Sequence, residues 1–274
     1  RLYILNSSIT DELIIEGLNN LTHISLTYSN IKSVSLNNLN NLENLTLVGD
    51  NIDNLVLSSL KKLKQLEMSG FNRSIINELS IYDLDELFYL KINQVSIGNI
   101  NLSDLNNVEN LYVNGSSVEN INISNLNKLN YLEIWACKNV NSINLSNLPN
   151  VKRMYLRKNG AKNLTISEAR NLEEILLDDN ELTDIDLSEC SKLEKIDLSN
   201  NKIENIKGLE NLHNLKGVNL SGNPIKSLDL SRTSISNLFI DPDKQKYLSN
   251  FDKNKTAVSL KLKKVNITEN TSVI

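Results

Sequence analysis

The chain has 274 residues, 40% of them hydrophobic, and a formal net charge of −4. That is enough apolar material for a continuous core, and the acidic balance argues against general nucleic-acid binding, which needs a basic face to displace counterions. No stretch approaches the roughly 18 apolar residues of a membrane span, so no membrane insertion is expected.

The chain opens at Arg1-Leu2-Tyr3-Ile4, already inside a repeat, so the absence of a leader says little about location. From there a leucine frame recurs at Leu21, Leu42, Leu63, Leu87, Val108, Leu129, Val151, Leu172, Leu193 and Leu215, at intervals of 21 to 24 residues. A fixed period in this range means a solenoid of stacked coils, none of which buries its apolar face alone. In each unit the fourth and sixth places are apolar, as in Leu45 and Leu47 or Leu132 and Ile134, which predicts a half-buried strand. A second alternating pair follows, as in Ile121 and Ile123 or Ile185 and Leu187, and ends in Ser. It predicts a second strand and a polar turn rather than a helix.

Between the two strands lies an inward polar place. It is Asn159, Asn180, Asn201 and Asn223 in the later coils, where an amide can both donate to and accept from the turning backbone. Earlier coils put Ser29, Asp50, Phe71, Val95, Ser116 and Cys137 there, so the first half is expected to be less regular. Cys137 and Cys190 both occupy inward places two coils apart, which predicts two buried free thiols. Three extra residues near Phe71-Asn72-Arg73-Ser74 predict a small protrusion at the rim.

The outward places of the first strand can be read from the same frame. Tyr89, Lys91, Tyr112, Tyr131, Glu133, Trp135, Arg153, Tyr155 and Arg157 fall on that face within four consecutive coils, followed by Glu174 and Asp178. Tyr, Trp and Arg combine large area with a polar handle and dominate binding hot spots. These eleven residues are the candidate partner-binding set, with Arg153 and Arg157 expected to meet carboxylates of a protein partner. Aromatic cross-strand packing would explain them without a partner. Asn114, also outward, is expected to matter little for stability.

Catalytic chemistry finds no footing. His23 and His213 are nine coils apart, no phosphate-binding glycine loop occurs, and no cofactor is expected. Glu173, Glu174, Asp178, Asp179 and Asp197 lack the tight spacing of a calcium loop and read as a solvated acidic face. Sequons such as Asn20-Leu21-Thr22 and Asn122-Ile123-Ser124 follow from an Asn-rich composition.

Towards the end, residues 206–212 suit a short helical turn. Past Ile240 the leucine frame stops. Asp241-Pro242 marks a helix start, with a short helix expected through Leu248, and residues 257–262 read as a strand. The expected organisation is a solenoid over 1–240 and a C-terminal cap over 241–274.

The frame resembles the leucine-rich repeat superfamily. Leu-x-x-Leu-x-Leu-x-x-Asn-x-Leu is matched closely by 172–182, 193–203 and 215–225, and the short units resemble bacterial 21- and 22-residue, internalin-like repeats. The resemblance implies about ten coils, with parallel strands on a concave face and short strands and turns on the convex one. It also implies a non-catalytic, monomeric, extracellular or cell-surface protein that binds other proteins, including host proteins, in adhesion. A structural spacer and a carbohydrate-binding module are the alternatives.

Overall fold

The computed structural model describes residues 1–7, 12–28, 32–49, 54–70, 75–76, 78–230, 232–241, 248–249 and 257–260. They form a parallel-strand solenoid with almost no helix. One long sheet, the front sheet, takes one strand from each coil, thirteen in all from Leu2–Ser7 to Ala257–Leu260, every neighbour parallel and one coil apart. The fourth and sixth places point inward as expected. Leu132 and Ile134 are fully buried while Tyr131 and Glu133 between and beside them stay half-exposed.

The second strands form the back of the coil in four smaller sheets rather than one. The break after the fourth strand falls in the 24-residue coil. There Ile75–Ile76 pairs with Ser96 and Ile97 of the following coil, whereas Glu78–Ile81 pairs with Asn54–Leu57 of the preceding one. The longer coil thus divides its second strand between two sheets. The expected protrusion at 71–74 lies outside the described residues.

Left-handed backbone falls in two columns of coil corners. One column follows the front strand, through Gln94, Gly115, Ala136, Lys158, Asp179 and Asn200. The other follows the second strand, through Asn38, Ser59, Asp83, Asp104, Asn125, Asn147 and Glu168. Asn and Asp are common here because their short polar side chains tolerate this region.

The inward amides do what their place requires. Asn180 donates from Nδ2 to the carbonyls of Leu156 (2.7 Å) and Leu177 (2.8 Å), and its Oδ1 accepts the N–H groups of Asn159 and Ala161. Asn201 and Asn223 repeat the pattern one and two coils on. Where the amide gives out, smaller groups stand in: the Cys137 thiol donates to the Val113 carbonyl, and Ser116 Oγ accepts the Val95 N–H. Ser29, Asp50 and Phe71 lie outside the described residues.

Both cysteines are free and buried. On the back, exposed amides form ladders, Asn144 to Asn122 to Asn101 among them, so the Asn122 sequon is tied into its neighbours.

The turn expected at 206–212 is a strand, Asn205–Lys207, followed by a 3-10 turn, Leu209–Asn211, with Gly208 at φ 89° between them. Past Ile240 the coil's path continues: Leu248–Ser249 pairs with Leu228 and Asp229, and Ala257–Leu260 with Asn237–Ile240. Leu248 is therefore in a strand, not in the helix its sequence suggested. The rest of the expected cap, including the proposed helix start at 242–247, lies outside the described residues. Among the described residues no helix is long and apolar enough to cross a membrane.

Candidate functional site

Third- and fifth-place residues of one strand lie on the same outward face about two residues apart, and parallel pairing sets neighbouring strands in exact register. Tyr89 and Tyr131 hold third places, Tyr112 and Tyr155 fifth places, so the four rings run in a zigzag across four strands. Ring centroids are 5.4 Å apart from Tyr89 to Tyr112 and from Tyr112 to Tyr131, and 5.3 Å from Tyr131 to Tyr155, the last pair edge-to-face. These are favourable aromatic geometries. Lys91 sits half-buried in the fifth place, in register with Tyr112.

The ladder is anchored by carboxylates. Tyr131 Oη donates to Glu133 Oε2 (2.6 Å), whose Oε1 accepts Asn114 Nδ2 (2.7 Å). Tyr155 Oη donates to Glu174 Oε2 at 2.9 Å. Burial raises the pKa of all four tyrosines, and the carboxylate partners raise those of Tyr131 and Tyr155 further. The hydroxyls stay protonated as donors.

Carboxylates of the next coil stand beside both arginines of the face. Arg157 makes a two-pronged pair with Asp178, Nε to Oδ1 at 2.5 Å and a terminal nitrogen to Oδ2 at 3.2 Å. Its pKa is raised, the Asp178 hydrogen bond being the main cause. Glu174 receives Lys195 at 2.7 Å and Arg153 at 3.9 Å. Burial alone would raise the Glu174 pKa; the hydrogen bonds from Lys195 and Tyr155 and the nearby Arg153 charge outweigh it and lower it. The acidic coil is only in part the solvated face its sequence suggested: Asp179 is exposed and Glu173 half-exposed, but Asp178 is buried against Arg157. Arg157 is not held open, since Asp178 already meets it, while Arg153 is 58% exposed and stands 3.9 Å from Glu174.

Trp135 is different. It occupies the outermost place of its strand and is 47% exposed. Its ring borders an open depression of about 360 Å³ with Glu133, Tyr155, Arg157 and Lys158. Lys158, one place past the strand and exposed, was not among the candidates although it neighbours Arg157 in the chain. Asn114 is no idle surface residue either: besides meeting Glu133 it accepts the Trp135 N–H at Oδ1 (3.1 Å). A second opening was also missed, about 470 Å³ at the other end of the face, lined by Lys195, Asp197, Gly217, Asn219, Asn237 and Phe239 over Ile196 and Val218. Carrying the outward places two units further would have reached Gly217 and Phe239. Among the described residues no cluster of His, Cys, Asp and Glu could hold a metal ion.

The face thus offers a row of four tyrosines, two of them hydrogen-bonded to carboxylates, one projecting indole and two shallow openings. Curated proteins give no match to the chain. Among solved structures, an internalin of Listeria monocytogenes is 16% identical, with 85% of this chain and 81% of that one covered and a TM-score of 0.41. A leucine-rich repeat protein of Leptospira interrogans is 17% identical, covering 89% and 91%, with a TM-score of 0.32. Residues 170–212 match the family model of leucine-rich repeats in two copies. The solenoid matches the leucine-rich repeat architecture, and the coils from 170 to 212 are where the family match itself falls.

Proposed function

We propose that the front sheet is a non-catalytic protein-binding surface, centred on Trp135 and the tyrosine ladder, in a bacterial surface or secreted protein that mediates adhesion or host interaction. The leucine-rich repeat fold suggests a protein-interaction module. The observation that carries the location of the surface is Trp135. An indole 47% exposed beside a ladder of stacked tyrosines offers apolar area and a ring N–H for a partner to cover. The resemblance of the short units to bacterial surface repeats supports the cellular setting.

The internal pairing of Arg157 with Asp178 changes how the surface should be probed. Arg157→Glu would set two carboxylates against each other and confuse stability with binding. Lys158→Glu reverses a charge beside the indole without breaking a pair. The test begins with chemical cross-linking of the whole chain to a host-cell surface extract and identification of the captured polypeptide. Its affinity is then measured for the unchanged chain and three variants. Trp135→Ala is expected to weaken binding by about 2 kcal/mol, some thirtyfold. Lys158→Glu should change the salt dependence, and Asn144→Ala on the back should do nothing. Equal affinity for all four proteins would remove the front sheet as the surface and favour the spacer reading.

A further inference from the structure

From His23 to Asn237 every third-place residue of the front sheet carries a side chain except Gly217. Nothing in the fold requires glycine there. Its φ lies outside the left-handed range, and a Cβ would meet only Lys195 Cγ, at 3.8 Å, an ordinary contact. Gly217 opens the three-residue strand Gly217–Asn219, and the usual justifications for glycine in a strand are a bulge, a bend or the close approach of another molecule. The flanking pairings, Lys195 with Gly217 and Gly217 with Asn237, are regular, so bulge and bend are both absent. What remains is the open floor that the missing side chain leaves.

The walls of that opening say what fits it. Phe239, in register with Asn219 and 40% exposed, stands on one side. The stem of Lys195 stands on the other, its ammonium already given to Glu174. Asp197 is also occupied: Oδ1 accepts the Ser199 N–H (2.9 Å) and hydroxyl (2.6 Å), and Oδ2 accepts Asn219 Nδ2 (3.2 Å). No lining charge is left for an ion. The opening presents an aromatic ring, an aliphatic stem and bare sheet backbone, which suit a flat uncharged group. An aromatic guest can meet the Phe239 ring edge-to-face. Trp135 and Phe239 lie five strands apart on one face, about 24 Å at a strand spacing near 4.8 Å. One standard interface of about 800 Å² per partner spans that distance.

We propose that the opening over Gly217 receives an aromatic side chain of the protein partner, forming a second anchor point beside Trp135. The inference rests on the protein-binding reading above and supplies the chemistry of one contact. The test is titration of the whole chain with p-cresol, the side-chain analogue of tyrosine, followed by amide NMR, with methyl β-glucoside as a parallel probe. Saturable shifts are expected at Gly217, Val218 and Asn219 with p-cresol and none with the glucoside. Gly217→Thr fills the floor with a residue strands favour. It should keep or raise the melting temperature while weakening p-cresol binding at least tenfold. Phe239→Leu keeps an apolar wall without the ring and should weaken it severalfold. Absence of saturable shifts, undiminished binding in Gly217→Thr, or a response to the glucoside alone would each overturn the assignment. Those results leave the Trp135 test untouched, so failure of this anchor is distinguishable from failure of the whole surface.

Discussion

Asn180 and Asn114 show how much a single side chain's meaning depends on which groups it faces. Asn180 serves four backbone groups in two coils, all out of reach of water. Asn180→Ala should cost about 1–3 kcal/mol, the penalty for stranding buried polar groups. Asn114 shares its third dimension only with Glu133 and Trp135, on a half-exposed face, so Asn114→Ala should cost about 0.5–1.5 kcal/mol. Urea unfolding of the two variants decides the order; a larger loss for Asn114→Ala than for Asn180→Ala would contradict the inward and outward places. The cysteines make a second residue-scale case. Burial pushes the Cys137 thiol up to about 11 and Cys190 to about 12. A raised folded value favours the protonated thiol. The stabilisation is therefore complete below the unfolded value near 9 and is lost as pH rises from there through 11 and 12. Both thiols should resist alkylation at pH 8 until the chain is unfolded, and denaturant resistance should fall between pH 9 and 12. Rapid labelling of the native chain would contradict the burial.

At the scale of the element, the coil corners carry the argument. Gly208 joins the Asn205–Lys207 strand to the Leu209–Asn211 turn at a left-handed φ, and a Cβ there would come within 2.3 Å of the Ser188 nitrogen. Gly208→Ala therefore combines backbone strain with a backbone clash, and a loss above about 2 kcal/mol is expected in thermal unfolding. A loss below about 0.5 kcal/mol would show that this corner can shift. The sequence carried the strand pairs plainly, because Leu-x-Leu and Ile-x-Leu alternation has one physical reading and the 21-residue period repeats it. It also carried the outward tyrosines, since place in the frame decides which way they point. It did not carry the pairing of Arg157 with Asp178, because spacing brings two side chains near each other without saying whether they turn together or towards solvent. The first break in the back was hidden too, since it arises from how the long coil shares Ile75–Ile76 and Glu78–Ile81 between neighbours. Leu248 shows the opposite failure: a local helix-start signal gave way to pairing with the preceding coil.

Across the whole molecule the two faces differ in kind. The front is one sheet of thirteen strands carrying the aromatic ladder; the back is a set of short sheets carrying rungs of small polar residues that bond to one another. Back-face amides such as Asn122 and Asn144 are consumed in those rungs, whereas the front presents the stacked tyrosines and the Trp135 indole. This asymmetry is why a Trp135 substitution should act on association while a core substitution acts on folding. Leu132→Ala, beneath Tyr131 and Glu133, should cost about 2–5 kcal/mol of stability.

The direction of the front-sheet hydrogen bonds has a mechanical consequence. They run from coil to coil, along the axis of the stack, so a pull on the two ends loads them one after another rather than together. A tether built this way yields by peeling at an end instead of resisting as a unit. Each released coil of about 21 residues would pay out roughly 70 Å of chain at 3.3–3.6 Å per residue. Stretched in a single-molecule apparatus, the protein should lengthen in small, similar steps at low force. A single rupture at high force would show that the coils share the load.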